Sequence, residues 1–177
     1  MADTNNIKAG EGVCSFQYEG EAEPTDVGFC RNCDMDFKTD SFDIEDGLNQ
    51  APIDNLESKK LAGFEIELIE ANMRNLVAAM GGTPADIDED TEPGTLIYKP
   101  TNSLSAAKFC EIIYKVKQVK DKTKQDIYTF FRAKVSGGVK FSHRKNKELF
   151  FKCKFMAYAD PGNDGAPYQV QYGAPVE

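Results

Sequence analysis

Apolar and polar side chains alternate with a period of two through most of this 177-residue chain, and that period predicts β-strands. In "VCSFQY" (13–18), Cys14, Phe16 and Tyr18 share one face while Ser15 and Gln17 take the other. "CDMDF" (33–37) sets Cys33, Met35 and Phe37 against Asp34 and Asp36. The apolar parity then moves to Phe42 and Ile44, which predicts a bulge or turn between Thr39 and Ser41. "LAGFEIEL" (61–68) places Ala62, Phe64, Ile66 and Leu68 opposite Glu65 and Glu67. "FCEIIYKVKQV" (109–119) and "DIYTFFRAKVS" (126–136) flank a lysine-rich turn and read as a hairpin. "ELFFKCKFMAYAD" (148–160) is the strongest strand pattern, and "YQVQY" (168–172) follows a Pro/Gly/Asp turn.

Helical spacing occurs once. Ile69, Met73, Leu76, Val77 and Met80 predict a short helix over about residues 70–80, with Gly81 and Gly82 as its C-terminal stop. Its single apolar stripe fits the flank of a sheet. The expected fold is mainly β: one domain spanning residues 1–177, a sandwich or barrel of about seven strands with one flanking helix. Two long loops, 43–60 and 81–94, complete it, and loops of that length are usually functional or ordered by a partner.

Charge adds a polarity to this picture. The net charge is −8, but residues 1–93 hold 22 acidic and 6 basic side chains, whereas residues 94–177 hold 7 acidic and 15 basic. Copies of such a chain are suited to head-to-tail contact through opposite charges. The alternative is that both sets simply face water after folding. On the first reading, Asp43, Glu45, Asp46 and Asp54 of one loop and Asp86, Asp88, Glu89 and Asp90 of the other face Lys115, Lys117, Lys120, Lys122 and Lys124 of a neighbouring copy. The lysine segments alone would fit phosphate, but a pI near 4.8 is wrong for a protein that grips nucleic acid.

Catalytic chemistry finds few candidates. His143 is the one histidine and sits among cations in "SHRKNKE", a poor place for a general base. "DIDEDTE" (86–92) lacks the glycine and the distal glutamate of a calcium loop. No glycine-rich phosphate loop follows a strand. Cys30 and Cys33 have Cys-x-x-Cys spacing, yet a continuous strand over 29–37 would point them to opposite faces, and only a turn at Arg31-Asn32 would join them. Cys14, Cys110 and Cys153 lie on apolar strand faces. No catalytic residue, metal ligand or cofactor site is therefore expected. The opening "MADTNNIKAGEG" has no apolar leader core and no run reaches the roughly 18 apolar residues of a membrane span, so five reduced thiols in a cytoplasm-like compartment are expected.

Three stretches, "IKAGEGVCSF", "DVGFCRNCDMDF" and "NQAPIDNLESKKLAGFEIELIEANMRNLVAAMGG", form a recurring order of elements. A strand containing Gly28 leads to a loop with Pro52-Ile53-Asp54, then to a strand over Phe64 to Leu68, Glu70, and a helix from Asn72 to Met80. The closing "KCKFMAYADPGNDGAPYQVQY" adds a strand, an Asp-containing turn and a last strand. This order resembles the major tail tube proteins of long-tailed phages, whose fold is shared by contractile-tail tubes and type VI secretion tubes. The resemblance implies a β-sandwich with a flanking helix, six copies per ring, and rings stacked into a tail tube through which genome DNA passes without specific binding. It implies partners as well: further copies, a tape measure protein, a tail terminator, and tail tip or baseplate proteins. No membrane is involved, and the place of action is the virion tail, assembled in the host cytoplasm. It adds Pro52 and Ile53 to the inter-subunit candidates and makes Asp34, Asp36, Glu65 and Glu67 candidates for the lumen wall, where negative charge would let DNA slide. The same four acids also read as ordinary solvent-facing positions. Cys30, Cys33 and the lysine-rich turn lie outside the pattern and inherit no role from it. The competing function is a soluble β-sandwich binding module or another tail or baseplate component. The absence of Trp and the placement of most Phe and Tyr in strand patterns disfavour a binding module.

Overall fold

The computed structural model describes residues 12–19, 21–45, 52–68, 72–82, 87–89, 95–98, 108–137, 139–141 and 151–176. The strands in chain order are β1 (Gly12–Tyr18), β2 (Thr25–Glu45), β3 (Pro52–Leu68), β4 (Ile87–Glu89), β5 (Leu96–Tyr98), β6 (Cys110–Lys117), β7 (Lys124–Val135), β8 (Lys140–Phe141), β9 (Phe151–Ala157) and β10 (Tyr168–Pro175). One helix, α1 (Met73–Ala79), lies between β3 and β4. The seven period-two segments coincide with β1, β2, β3, β6, β7, β9 and β10. The extra strands, β4, β5 and β8, are two or three residues long, too short to show a period.

Eight strands pair in the order β10-β7-β6-β1-β2-β3-β9-β8, and β7 pairs again with β9. That second pairing is possible because β7 is shared along its length. Lys124 to Phe130 take β10 as a neighbour, and Ala133 to Val135 take Phe155 to Ala157 of β9. The sheet thereby returns on itself, and β6, β1, β2, β3, β9 and β7 close into a barrel. Closure joins the two ends of the six-strand ring edge to edge, while β10 and β8 remain as side strands on β7 and β9.

The barrel interior is filled with side chains. Phe16, Phe64, Phe130, Phe155, Ile66, Leu68 and Ile112 are fully buried, each on the apolar parity of its strand. Phe64 sits at the centre, with ring centroids 4.8 Å from Phe130, 6.0 Å from Tyr114 and 6.3 Å from Phe155. Full burial of each such side chain stabilises by about 1.5–3 kcal/mol. Helix α1 closes against β9. Asn72 caps it, its Oδ1 accepting from the Asn75 N–H at 2.8 Å, and buried Asn75 donates its own Nδ2–H to the Val27 carbonyl at 2.8 Å.

The expected long loops need correction. Residues 43–45 and 52–60 are strand, paired across β2 and β3 from Glu45↔Pro52 through Asp40↔Lys59. The register shifts between Asp40 and Ser41, within the interval where the parity change placed a bulge. Past Phe37 and Leu61, no third strand pairs with this ribbon among the described residues: β1 pairs with β2 up to Cys30 and β9 pairs with β3 from Ala62. Lys38 to Ser41, Glu57, Lys59 and Lys60 are exposed, so no apolar period is required of them, and their polar sequence looks like loop. Within 81–94, residues 87–89 form β4 against β5, and residues 83–86 and 90–94 lie outside the described residues.

Candidate functional site

The four acids proposed for a lumen wall share one surface. Asp34 pairs with Glu65 across β2 and β3, Glu65 with Lys154 and Glu67 with Lys152 across β3 and β9. All four point away from the core, because Cys33, Met35, Phe64 and Ile66 take the inward parity. Cations run through this surface. Lys152 pairs with Glu65, Lys38 Nζ lies 2.5 Å from Asp36, and the Asn32 amide donates to Glu67 at 2.6 Å. The carboxylates hold the Lys152 and Lys38 ammonium groups above the ordinary lysine range, through hydrogen bonding first and charge second. A concavity of about 420 Å³ opens here between Asp34, Asp36, Lys38, Gly63, Glu65 and Lys154.

The inter-subunit candidates separate into two groups. Asp43, Glu45, Pro52, Ile53 and Asp54 belong to the backbone of the β2–β3 ribbon, where Asp43 pairs with Asn55 and Ile44 with Asp54. Asp88 is exposed on β4, and Glu89 pairs with Leu96. Asp46, Asp86 and Asp90 lie outside the described residues, as does His143. On the basic side, β6 and β7 form the expected hairpin, with Lys117 opposite Gln125. Lys117, Lys120, Lys122 and Lys124 are exposed, and Lys115 is half-buried. Asp121 organises the turn: its Oδ1 accepts from the Thr123 N–H at 3.1 Å and from the Thr123 hydroxyl, which holds its carboxyl below the usual range.

The paired cysteines fold differently from the strand expectation. The register shifts between Cys30↔Leu68 and Cys33↔Ile66, so a bulge at Arg31-Asn32 turns both thiols inward. Cys30 is fully buried and Cys33 packs against the core. The Cys30 thiol donates to the Gly28 carbonyl at 4.0 Å and the Cys110 thiol to the Ala133 carbonyl at 3.6 Å, and all five cysteines are free. Burial pushes the Cys14 and Cys33 thiols well above the ordinary value and takes Cys110 and Cys153 to about 12. Protonated thiols neither attack nor ligate, and among the described residues no His, Cys, Asp or Glu group is arranged to hold a metal.

One arrangement escaped the sequence. Gln17, Tyr18, Glu19, Glu21, Phe109, Cys110, Glu111, Phe131, Arg132 and Asp160 line a cleft of about 460 Å³ where β6 starts. Two of its carboxylates, Glu21 and Asp160, are held by local turns. Glu21 accepts from the Tyr18 N–H at 3.2 Å, and Asp160 caps the 3-10 turn Pro161–Asn163, accepting from Gly162 N and Asn163 Nδ2. Partial burial, with the charge of Asp160 second, raises the proton affinity of Glu111. Arg132 and Lys134 lie over the Phe109 ring at 3.8 and 4.0 Å, with Tyr158 edge-on to it. Four separate segments supply the lining, so no local motif announces it.

No protein-family model matches this chain, and no curated protein matches it either. Its fold is found among solved structures. A chain of the anti-feeding prophage tube-terminating cap aligns over 98% of this chain and 95% of its own, at TM-score 0.56 and 9% identity. A chain of the anti-feeding prophage baseplate, from a cryo-EM structure symmetrised sixfold, aligns over 97% of this chain and 98% of its own, at TM-score 0.53 and 9% identity. What is shared is the fold. No helix among the described residues is long and apolar enough to cross a membrane.

Proposed function

We propose that this chain is a structural, self-assembling subunit of a phage-like tail: copies form hexameric rings that stack into a tail tube for the passage of genome DNA. The observation that carries the reading is the end-to-end likeness of fold to chains of a tube cap and a sixfold-symmetrised baseplate. Two features of the chain support it. Among the described residues, neither outer edge of the β2–β3 ribbon is paired where it leaves the barrel, and such edges invite strands from another copy. The outer β2–β3 surface gathers Asp34, Asp36, Glu65 and Glu67 at one place, as a wall that repels phosphate requires, although Lys38, Lys152 and Lys154 temper its charge. On this reading the tape measure, terminator and tip or baseplate proteins are its partners, the assembled particle is the virion tail, and the chain carries no enzymatic activity.

A second reading is favoured by where the similar chains come from, a tube-terminating cap and a baseplate: on it this chain forms a single ring that does not stack. Negative-stain microscopy with sedimentation velocity on the purified protein separates the two. Tubes of variable length are expected; a single discrete ring would replace the tube reading by the second. Strict monomer behaviour across concentration and salt would overturn both.

A further inference from the structure

The β6–β7 hairpin carries different surfaces at its two ends. At the turn, Val119 is 49% exposed, an apolar side chain standing among exposed Lys117, Lys120, Lys122 and Lys124. At the other end, where Cys110 pairs with Ala133, lies the cleft lined by Tyr18, Phe109 and Phe131, with Glu19, Glu21, Glu111 and Asp160 among its walls. Seven strand steps of β6 separate them, about 23 Å.

We propose that the Val119 turn of one copy seats in the Glu19–Glu111–Asp160 cleft of the next. The two surfaces match in three respects. A protruding apolar side chain meets aromatic walls. Cations meet carboxylates, four of them in the cleft against Arg132 inside it and Lys134 stacked on Phe109. Glu111 and Asp160 are close enough for the charge of one to raise the proton affinity of the other, a repulsion that an incoming ammonium relieves. Because plug and socket sit at opposite ends of one hairpin, the contact is heterologous and repeats from copy to copy. It rests on the self-assembly reading and names the joint. It also replaces the loop acids of 43–60 and 81–94 as the partners of the lysines.

Site-directed cross-linking tests the joint directly. Lys122→Cys and Glu19→Cys place single accessible thiols on plug and socket, while native Cys14, Cys30, Cys110 and Cys153 are buried and Cys33 is half-buried. Mixing the two variants with a short bis-maleimide should give a covalent heterodimer, and pairing Lys122→Cys with Ser41→Cys on the ribbon should not. Lys120→Glu combined with Lys122→Glu should raise the concentration needed for association by about tenfold, in a salt-dependent way. If wild-type protein forms rings or tubes while the Lys122–Glu19 link is absent, the joint is overturned and the assembly reading stands. A link without tubes keeps the joint and removes the tube reading, and absence of both removes both.

Discussion

Asp126 on β7 accepts a hydrogen bond from the backbone N–H of Gly173 on β10 at 3.0 Å, joining positions 47 residues apart. Asp126 is fully buried, and its Oδ1 also accepts from Gln118 Nε2 at 2.9 Å. Gly173 sits at φ 69° where the β10 register shifts between Gln171 and Ala174, which turns its N–H toward the carboxylate. One buried acid thus ties the β6–β7 turn to the last strand. Asp126→Ala strands two donors and should cost about 1–3 kcal/mol or more. Urea titration measures the loss, and hydrogen exchange should show β10 opening before the barrel. Uniform destabilisation with β10 protected to the same degree as β6 would contradict this role.

Phe64 makes three ring contacts at the barrel centre, so its truncation cannot be absorbed by one neighbour. Phe64→Ala should destabilise by about 3–5 kcal/mol, and a loss below about 1 kcal/mol in denaturant melts would show that the barrel collapses around the gap.

Asn75 holds α1 to the barrel through one amide. Asn75→Ala removes the bond to Val27 O and leaves that carbonyl without its amide donor, at a cost of about 1–2 kcal/mol. The loss should localise to the helix: far-UV dichroism of strands is retained while exchange in 73–79 accelerates.

The thiols predict an alkaline limit. Burial raises Cys110 and Cys153 from 9.0 to about 12, so their contribution to stability is complete below pH 9 and is lost as pH rises from there toward 12. Native protein should react slowly with a thiol reagent at pH 8, half-buried Cys33 first, and unfolded protein should release all five thiols. Rapid native reaction of Cys110 or Cys153 would mean that the barrel opens there.

Much of the fold was legible because it is local. The seven main strands follow from side-chain alternation, which a buried sheet face imposes on its own strand, the helix stop from Gly81-Gly82, and the register shift after Asp40 from the change of apolar parity before Phe42. The inward turn of both Cys30 and Cys33 was hidden because a bulge of one residue leaves no compositional mark.

The sequence by itself determined which residues make the core, since Phe16, Phe64, Ile112 and Phe155 each lie on a strand's apolar parity. Only the tertiary structure decided three other features: closure through β7 and β9, the length of the polar β2–β3 ribbon, and the meeting of Glu19, Glu21, Glu111 and Asp160. The reason is physical. Burial writes a period into each strand separately, whereas shared edges, two-sided exposed ribbons and clefts depend on which strands become neighbours, and exposed polar positions carry no record of that choice.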